Sequence, residues 1–185
     1  MKLGIIVGST RQGRISHHLA KAVADAADKT DGAEVEVLDL RDYDLPFFNE
    51  ASSPKYNPGR KPEAAVRKWL DKLAEKDAYV IVTPEYNRAI PGVLKNAFDH
   101  IAYEMAKKPA AIVSHGSFNG GFAQANVRII ISELGAVPTP TFMGLPYGAF
   151  AESGHYDGDA DELKTRLKSL LEELKWFSDT LATSR

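Results

Sequence analysis

Apolar residues gather in five short runs, and between the runs they return every three or four positions. The first pattern belongs to strands and the second to one face of a helix. Strands are predicted over Lys2 to Val7, Glu34 to Leu40, Ala78 to Thr83, Ala110 to Ser114 and Thr139 to Met143. The first helix carries Ile15, Leu19, Val23 and Ala26 and ends before Gly32. Pro62, whose fixed φ suits a first turn, is expected to open the second, with Val66, Trp69, Leu70 and Leu73 inward. Val93, Leu94, Ala97, Phe98 and Ile101 mark the third helix. Phe122, Ala125, Ile129 and Ile130 mark the fourth, and Leu163, Leu167, Leu170, Leu174 and Phe177 the last. Strands alternating with helices predict an α/β protein built on a parallel sheet. No repeat or linker divides the chain, so one domain is expected over 1–185.

Strand polarity orders the sheet. The first, third and fourth runs are almost wholly apolar, as strands covered on both faces must be. In the second, Glu34 and Glu36 alternate with Val35 and Val37; the fifth contains Pro140 and is flanked by Pro138. Charge on one face and proline both suit an edge. The order 2-1-3-4-5 follows, with its ligand crevice at the carboxyl ends of the first and third strands. Three loops converge there: 8–16, 84–92 and 115–121.

The first loop reads Gly8-Ser9-Thr10-Arg11-Gln12-Gly13-Arg14-Ile15-Ser16. A helix start with open N–H groups, hydroxyls at Ser9, Thr10 and Ser16, and the fork of Arg11 suit a phosphate. Arg14 is open between holding phosphate, attracting a dinucleotide and facing water. Ser16 is otherwise a helix cap. A nucleoside-triphosphate loop needs Lys and a hydroxyl where Arg14 and Ile15 stand, and G-x-G-x-x-G is absent. In the second loop Pro84 stiffens the entry, Tyr86 offers a flat wall, backbone groups of Glu85, Tyr86 and Asn87 suit a ring edge, and Gly92 allows close approach. Glu85 reads as an ion-pair residue rather than a general acid. In the third, Gly116 and Ser117 can present amides beside His115, in a loop that otherwise only caps a helix. G-x-S-x-G is absent, so no serine-hydrolase elbow is expected.

Composition narrows the classes. With 44% hydrophobic residues the chain is globular, and a net charge of -2 gives no case for nucleic acid or an anionic membrane as partner. There is no cysteine, which removes disulfides, thiolate metal sites and a cysteine nucleophile. His17, His18, His100 and His155 form no metal-ligand spacing, and no metal is expected. Without a signal peptide or long apolar stretch, a cytoplasmic protein is expected.

Pro84-Glu85-Tyr86-Asn87 followed by Ile90-Pro91-Gly92-Val93-Leu94-Lys95-Asn96-Ala97-Phe98-Asp99 resembles the PEYN…PGxLKNAxD signature of the NAD(P)H-dependent FMN reductase family. Gly8 to Arg11 is similar to that family's phosphate loop. The resemblance runs from Lys2 to about Leu134. It implies a flavodoxin-like α/β/α fold, bound FMN, NADPH or NADH as reductant, and a small-molecule acceptor such as a quinone, an azo or nitro compound, free flavin or a metal oxyanion. The cofactor-binding candidates are then Ser9, Thr10, Arg11, Arg14, Ser16, Pro84, Glu85, Tyr86, Asn87, Gly92, His115, Gly116 and Ser117. The flavin N5 carries the hydride, so no side chain is assigned to catalysis. Arg88 stands where relatives often have an aromatic or small polar residue, and relatives tend to have Tyr or Gly near His115. A homodimer or homotetramer is the assembly the resemblance implies. The alternatives are a flavodoxin-type electron carrier, which the arginines of the first loop and the near-neutral charge disfavour, and a flavin-binding regulatory protein. The segments 49–60 and 144–161 are each candidates to cover the flavin or meet another subunit.

Overall fold

A computed structural model describes residues 1–183. Strands β1 (Lys2–Val7), β2 (Glu34–Asp39), β3 (Ala78–Pro84), β4 (Pro109–Gly116) and β5 (Val137–Pro146) alternate with helices α1 (Ile15–Ala27), α2 (Ala64–Ala74), α3 (Gly92–Asp99), α4 (Gly121–Glu133) and α5 (Ala160–Ala182). All pairings are parallel, in the order β2-β1-β3-β4-β5, so the fold is the expected flavodoxin-like one. Alternation along each strand separates two cores. Leu3, Ile5, Val7, Val80, Val82, Ala111 and Val113 pack against α1 and α5. Ile6, Tyr79, Ile81 and Ile112 face the other way, against α2, α3 and α4.

The edges are managed as their residues predict. On β2, Glu36 pairs with Lys72 at 2.9 Å and with Lys76. On β5 the prolines coincide with a register shift between Ala110 and Ile112 of its partner. β3, β4 and β5 each run further than their apolar runs suggest, because main-chain pairing continues through Pro84–His115 and Gly116–Pro146.

Two expectations change, and one open alternative narrows. Helix α2 begins at Ala64 with Glu63 at its N-cap, so Pro62 stands before the helix instead of opening it. Helix α4 is turned relative to its predicted phase: Ala123, Gln124, Val127 and Ile131 are buried, whereas Phe122 and Ile129 face outward. The buried Gln124 donates to Ser114 Oγ at 2.8 Å, and that hydroxyl donates to the Asn119 carbonyl at 2.7 Å, so a polar residue sits inside with a hydrogen-bonded partner. The 49–60 segment leaves the crevice clear. Arg60 ties it to the end of α3, donating to the His100 carbonyl at 2.6 Å and pairing with Glu50 at 2.7 Å.

Candidate functional site

The first loop leaves β1 at Gly8, whose N–H donates to the Val82 carbonyl at 2.8 Å. A side chain there would put Cβ 2.8 Å from Leu94 Cδ2 and 3.0 Å from the Val82 carbonyl, so the loop approaches α3 closely enough that Leu94 would have to shift for anything larger than glycine. Gly13, at φ 61, turns the chain into α1 through an extended Arg14 at the N-cap. No side chain caps this helix and its first turn holds no acid. Its leading N–H groups and positive dipole end are therefore left for a ligand. Ser16 lies within the first turn and is buried; its hydroxyl shares a 2.9 Å hydrogen bond with His115 Nε2, so it is no cap.

The two arginines of the loop differ. Arg11 is exposed, whereas the Arg14 side chain is nearly buried. Arg14 donates to the Ser9 carbonyl at 2.6 Å and grips both oxygens of Asp39, one at 2.6 Å. Burial pushes the Asp39 carboxyl up, but the bonds from Arg14 and the Arg41 N–H outweigh it and hold the group below its ordinary 3.8. Arg41 completes the brace, donating to the Arg11 carbonyl at 2.5 Å and the Thr10 carbonyl at 3.2 Å. Neither Asp39 nor Arg41 carries a sequence signal for this role; it comes from the register that sets Val7 beside Asp39.

The second and third loops are pinned together. Glu85 N–H donates to the His115 carbonyl at 2.9 Å. Tyr86 and Ala89 exchange two main-chain bonds of 2.9 Å around Asn87 (φ 49) and Arg88 (φ 64), a tight two-residue turn with both residues left-handed. Glu85 caps α4: its Oε2 accepts from the N–H of Phe122 at 2.9 Å and of Ala123 at 3.4 Å. Its expected ion pair exists within the chain, with Arg88 at 3.6 Å. Tyr86 OH and Ser9 Oγ share a 3.0 Å hydrogen bond, joining the first loop to the second. Burial pushes the His115 imidazole down to about 4, so it is neutral at physiological pH.

These loops wall a cavity of about 550 Å³. Of the candidate residues, Ser9, Arg11, Arg14, Ser16, Pro84, Glu85, Tyr86, His115, Gly116 and Ser117 line it. Thr10, Asn87 and Gly92 do not. Thr10 lines a neighbouring cleft of about 190 Å³ with Tyr43 and Asn96. A Cβ at Gly92 would meet nothing within 4 Å, so no close contact there demands glycine. The wall that sequence reasoning left open is the β5–α5 segment, through Tyr147, Gly148, Phe150, Ala151 and Glu152. It is held by bonds from Ala151 N–H to the His155 carbonyl (2.8 Å) and from Asp157 N–H to the Ala149 carbonyl (3.0 Å), and Phe150 stacks on His18 at 6.4 Å. Aromatics set among Gly144, Gly148 and Gly154 are the signal that could have found it.

The donor set fits one phosphate and one flat ring. An uncapped helix start, a free arginine and buried hydroxyls gather at one end, while Pro84, Tyr86 and loop backbone form a slot at the other, in a volume within the usual 300–1,000 Å³ of ligand sites. Flavin mononucleotide has that form, and the residues present suit it.

Fold and site together define a flavodoxin-like protein with a cavity where the loops after β1, β3 and β4 meet. The family model described as NADPH-dependent FMN reductase matches residues 1–149, and the chain belongs to that family. An NAD(P)H-dependent FMN reductase of Schizosaccharomyces pombe is 31% identical over 144 residues, covering 78% of this chain and 72% of its own. An NAD(P)H:quinone oxidoreductase of Solanum tuberosum is 32% identical over 182 residues, covering 92% and 89%. Among solved structures, the flavoenzyme NAD(P)H:(acceptor) oxidoreductase FerB of Paracoccus denitrificans superposes with a TM-score of 0.74 at 26% identity, covering 95% of this chain and 98% of that one. The protein is thus an FMN-dependent oxidoreductase with NADH or NADPH as reductant, and the carrier reading falls away. No helix among the described residues is long and apolar enough to cross a membrane.

Proposed function

We propose that this chain oxidises NAD(P)H and reduces a small-molecule acceptor, the two substrates using one cavity in turn. The acceptor class is a quinone, an azo or nitro compound, free flavin or a metal oxyanion, with a quinone favoured by the names of the relatives. FMN, when bound, would supply the hydride-transfer chemistry that links the reductant to the acceptor. The protein's own part is to hold and to shield. Ser9, Arg11, Ser16 and the first-turn N–H groups of α1 would hold the phosphate, and Arg14 and Arg41 keep the loop in shape for it. Pro84, Glu85 and Tyr86 on one side and His115, Gly116 and Ser117 on the other flank the ring and offer main-chain groups to its polar edge. The β5–α5 segment excludes water from the phosphate end.

One observation carries this reading: the uncapped start of α1, Arg11 and the slot between the second and third loops open into a single cavity. The test is to add FMN to the purified protein, record the visible spectrum, and then add NADH or NADPH without oxygen. Uptake of yellow flavin and its bleaching by a reduced nicotinamide are expected. A protein that takes up no FMN sinks the reading. A cytoplasmic enzyme, where the pyridine nucleotides are supplied, working as a homodimer or homotetramer belongs to the same reading. Ile129 and Phe142, 73% and 56% exposed, are apolar surface of the kind copies of a chain cover, and light scattering on the eluting protein tests the assembly.

A further inference from the structure

Arg88 is the residue near the site that the functional reading leaves unused. It holds a left-handed backbone at φ 64, a conformation that costs a side-chain-bearing residue about 1–2 kcal/mol and that glycine adopts freely. An arginine kept at such a position points to a use for its side chain. The guanidinium carbon lies 4.1 Å from the centre of the Phe118 ring and 4.9 Å from that of Phe122. These two rings meet edge to face at 6.4 Å and are themselves largely exposed, as is about half of the arginine. The side chain thus rests on a platform of two rings, with about half of it open to solvent.

Its ion pair does not consume that edge. Glu85 lies 3.6 Å away through Oε1 with little exposure, while Oε2 is engaged by the N–H groups of Phe122 and Ala123. The carboxylate charge is therefore already shared with the start of α4. Arg88 also bridges the two loops that wall the cavity: it is two residues beyond Tyr86, and its platform residue Phe118 directly follows Ser117. Arg88 does not line the cavity itself but stands on the loops that do, and a planar, ring-supported guanidinium takes a carboxylate, phosphate or sulfonate through two parallel bonds.

We propose that Arg88 recognises an oxyanion carried by the reductant or the acceptor as it enters the cavity. The source is a phosphate of the nicotinamide dinucleotide or an acidic group on the acceptor, and Arg88 is a specificity residue for whichever carries it. This rests on the cavity being the flavin site. The test uses the FMN-loaded enzyme, Arg88→Asn and Arg88→Lys; asparagine tolerates the left-handed turn, so the fold is kept. Flavin absorbance reports loading, and kcat/KM is measured for NADH, NADPH, benzoquinone and a naphthoquinone sulfonate.

Arg88→Asn is expected to load FMN as the parent does. It should lose about tenfold or more for the anionic substrate while benzoquinone stays within about twofold, with Arg88→Lys recovering part of the loss. Loss with NADPH alone assigns the ribose phosphate, loss with both dinucleotides the pyrophosphate, and loss with the sulfonate alone the acceptor. The proposal is overturned if no kcat/KM moves by more than about twofold, or if benzoquinone falls as far as the rest. A parent protein that takes up no FMN removes the flavin reading and this one with it.

Discussion

Acidification should weaken the protein through a single buried ring before its carboxylates respond. His115 is 6% exposed, and burial lowers its pKa from 6.5 to about 4. When the chain unfolds, the ring returns to its ordinary value. Above pH 6.5 both states keep it neutral and it adds no pH dependence. Between 6.5 and about 4 the unfolded state takes up a proton that the folded state refuses, so stability falls as pH falls. Each unit of difference is worth about 1.4 kcal/mol, so the whole window removes about 3 kcal/mol, a large part of a typical domain's stability. Asp39 and Glu36, whose pKa values are lowered, act in the same sense but at lower pH: they contribute above their unfolded values of 3.8 and 4.5 and lose that contribution as pH falls further. His115→Gln keeps an amide near Ser16 and removes the titration. Urea midpoints of both proteins, taken from about pH 7 to about pH 4 with no added FMN, give the difference directly. The parent should lose about 3 kcal/mol more than the variant across that window. Parallel loss in the two would refute the reasoning, because His115 would then be titrating as an ordinary histidine.

Three further outcomes test the site. Arg11→Ala should weaken FMN by about tenfold or more while hardly changing riboflavin, since only one ligand carries the phosphate; fluorescence titration with both ligands checks it, and equal losses would mean Arg11 does not touch phosphate. Arg14→Ala should destabilise the protein by about 2–3 kcal/mol by leaving Asp39 partly buried without its partner. Adding Asp39→Asn should restore part of that, as a double-mutant cycle in urea would reveal. Initial rates at several fixed acceptor concentrations should give parallel double-reciprocal lines, and intersecting lines would exclude two substrates sharing one cavity in turn.

Strand order was legible because edges and centres obey different physics. Pro138, Pro140, Glu34 and Glu36 can stand only where a face or a hydrogen-bonding row is free, and both strands proved to be edges. The loops that meet at the crevice followed from that order, together with ten of the residues that line it. Helix α4 was misread because periodicity treats every polar residue as outward. Gln124 is buried by a hydrogen bond to Ser114, ten positions away, which no local pattern encodes. Pro62 was misread for a similar reason: a first-turn proline and a proline just before the cap differ only in the backbone of the residues that follow. The β5–α5 wall was open in the sequence because its residues act through shape. Phe150 lines the cavity by stacking on His18, a contact between segments 132 positions apart.

The two arginines of the first loop show how far residue type falls short of role. Arg11 and Arg14 are three positions apart on one turn, and each has the fork that suits a phosphate. The parallel register of β1 and β2 sets Asp39 beside Val7, within reach of Arg14 and not of Arg11. Arg14 is therefore neutralised before any ligand arrives, and one of its terminal nitrogens also donates to the Ser9 carbonyl. The gain is order. A loop that must present its N–H groups to one phosphate loses less entropy on binding if its shape is already set, and Asp39 and Arg41 set it from the neighbouring strand end. The cost is one cation fewer facing the ligand. A site with two free arginines would attract more highly charged phosphates. On the proposed reading, one free arginine at an uncapped helix start matches a single monophosphate, and this balance, together with the missing Lys and hydroxyl at Arg14 and Ile15, would favour a mononucleotide over a triphosphate.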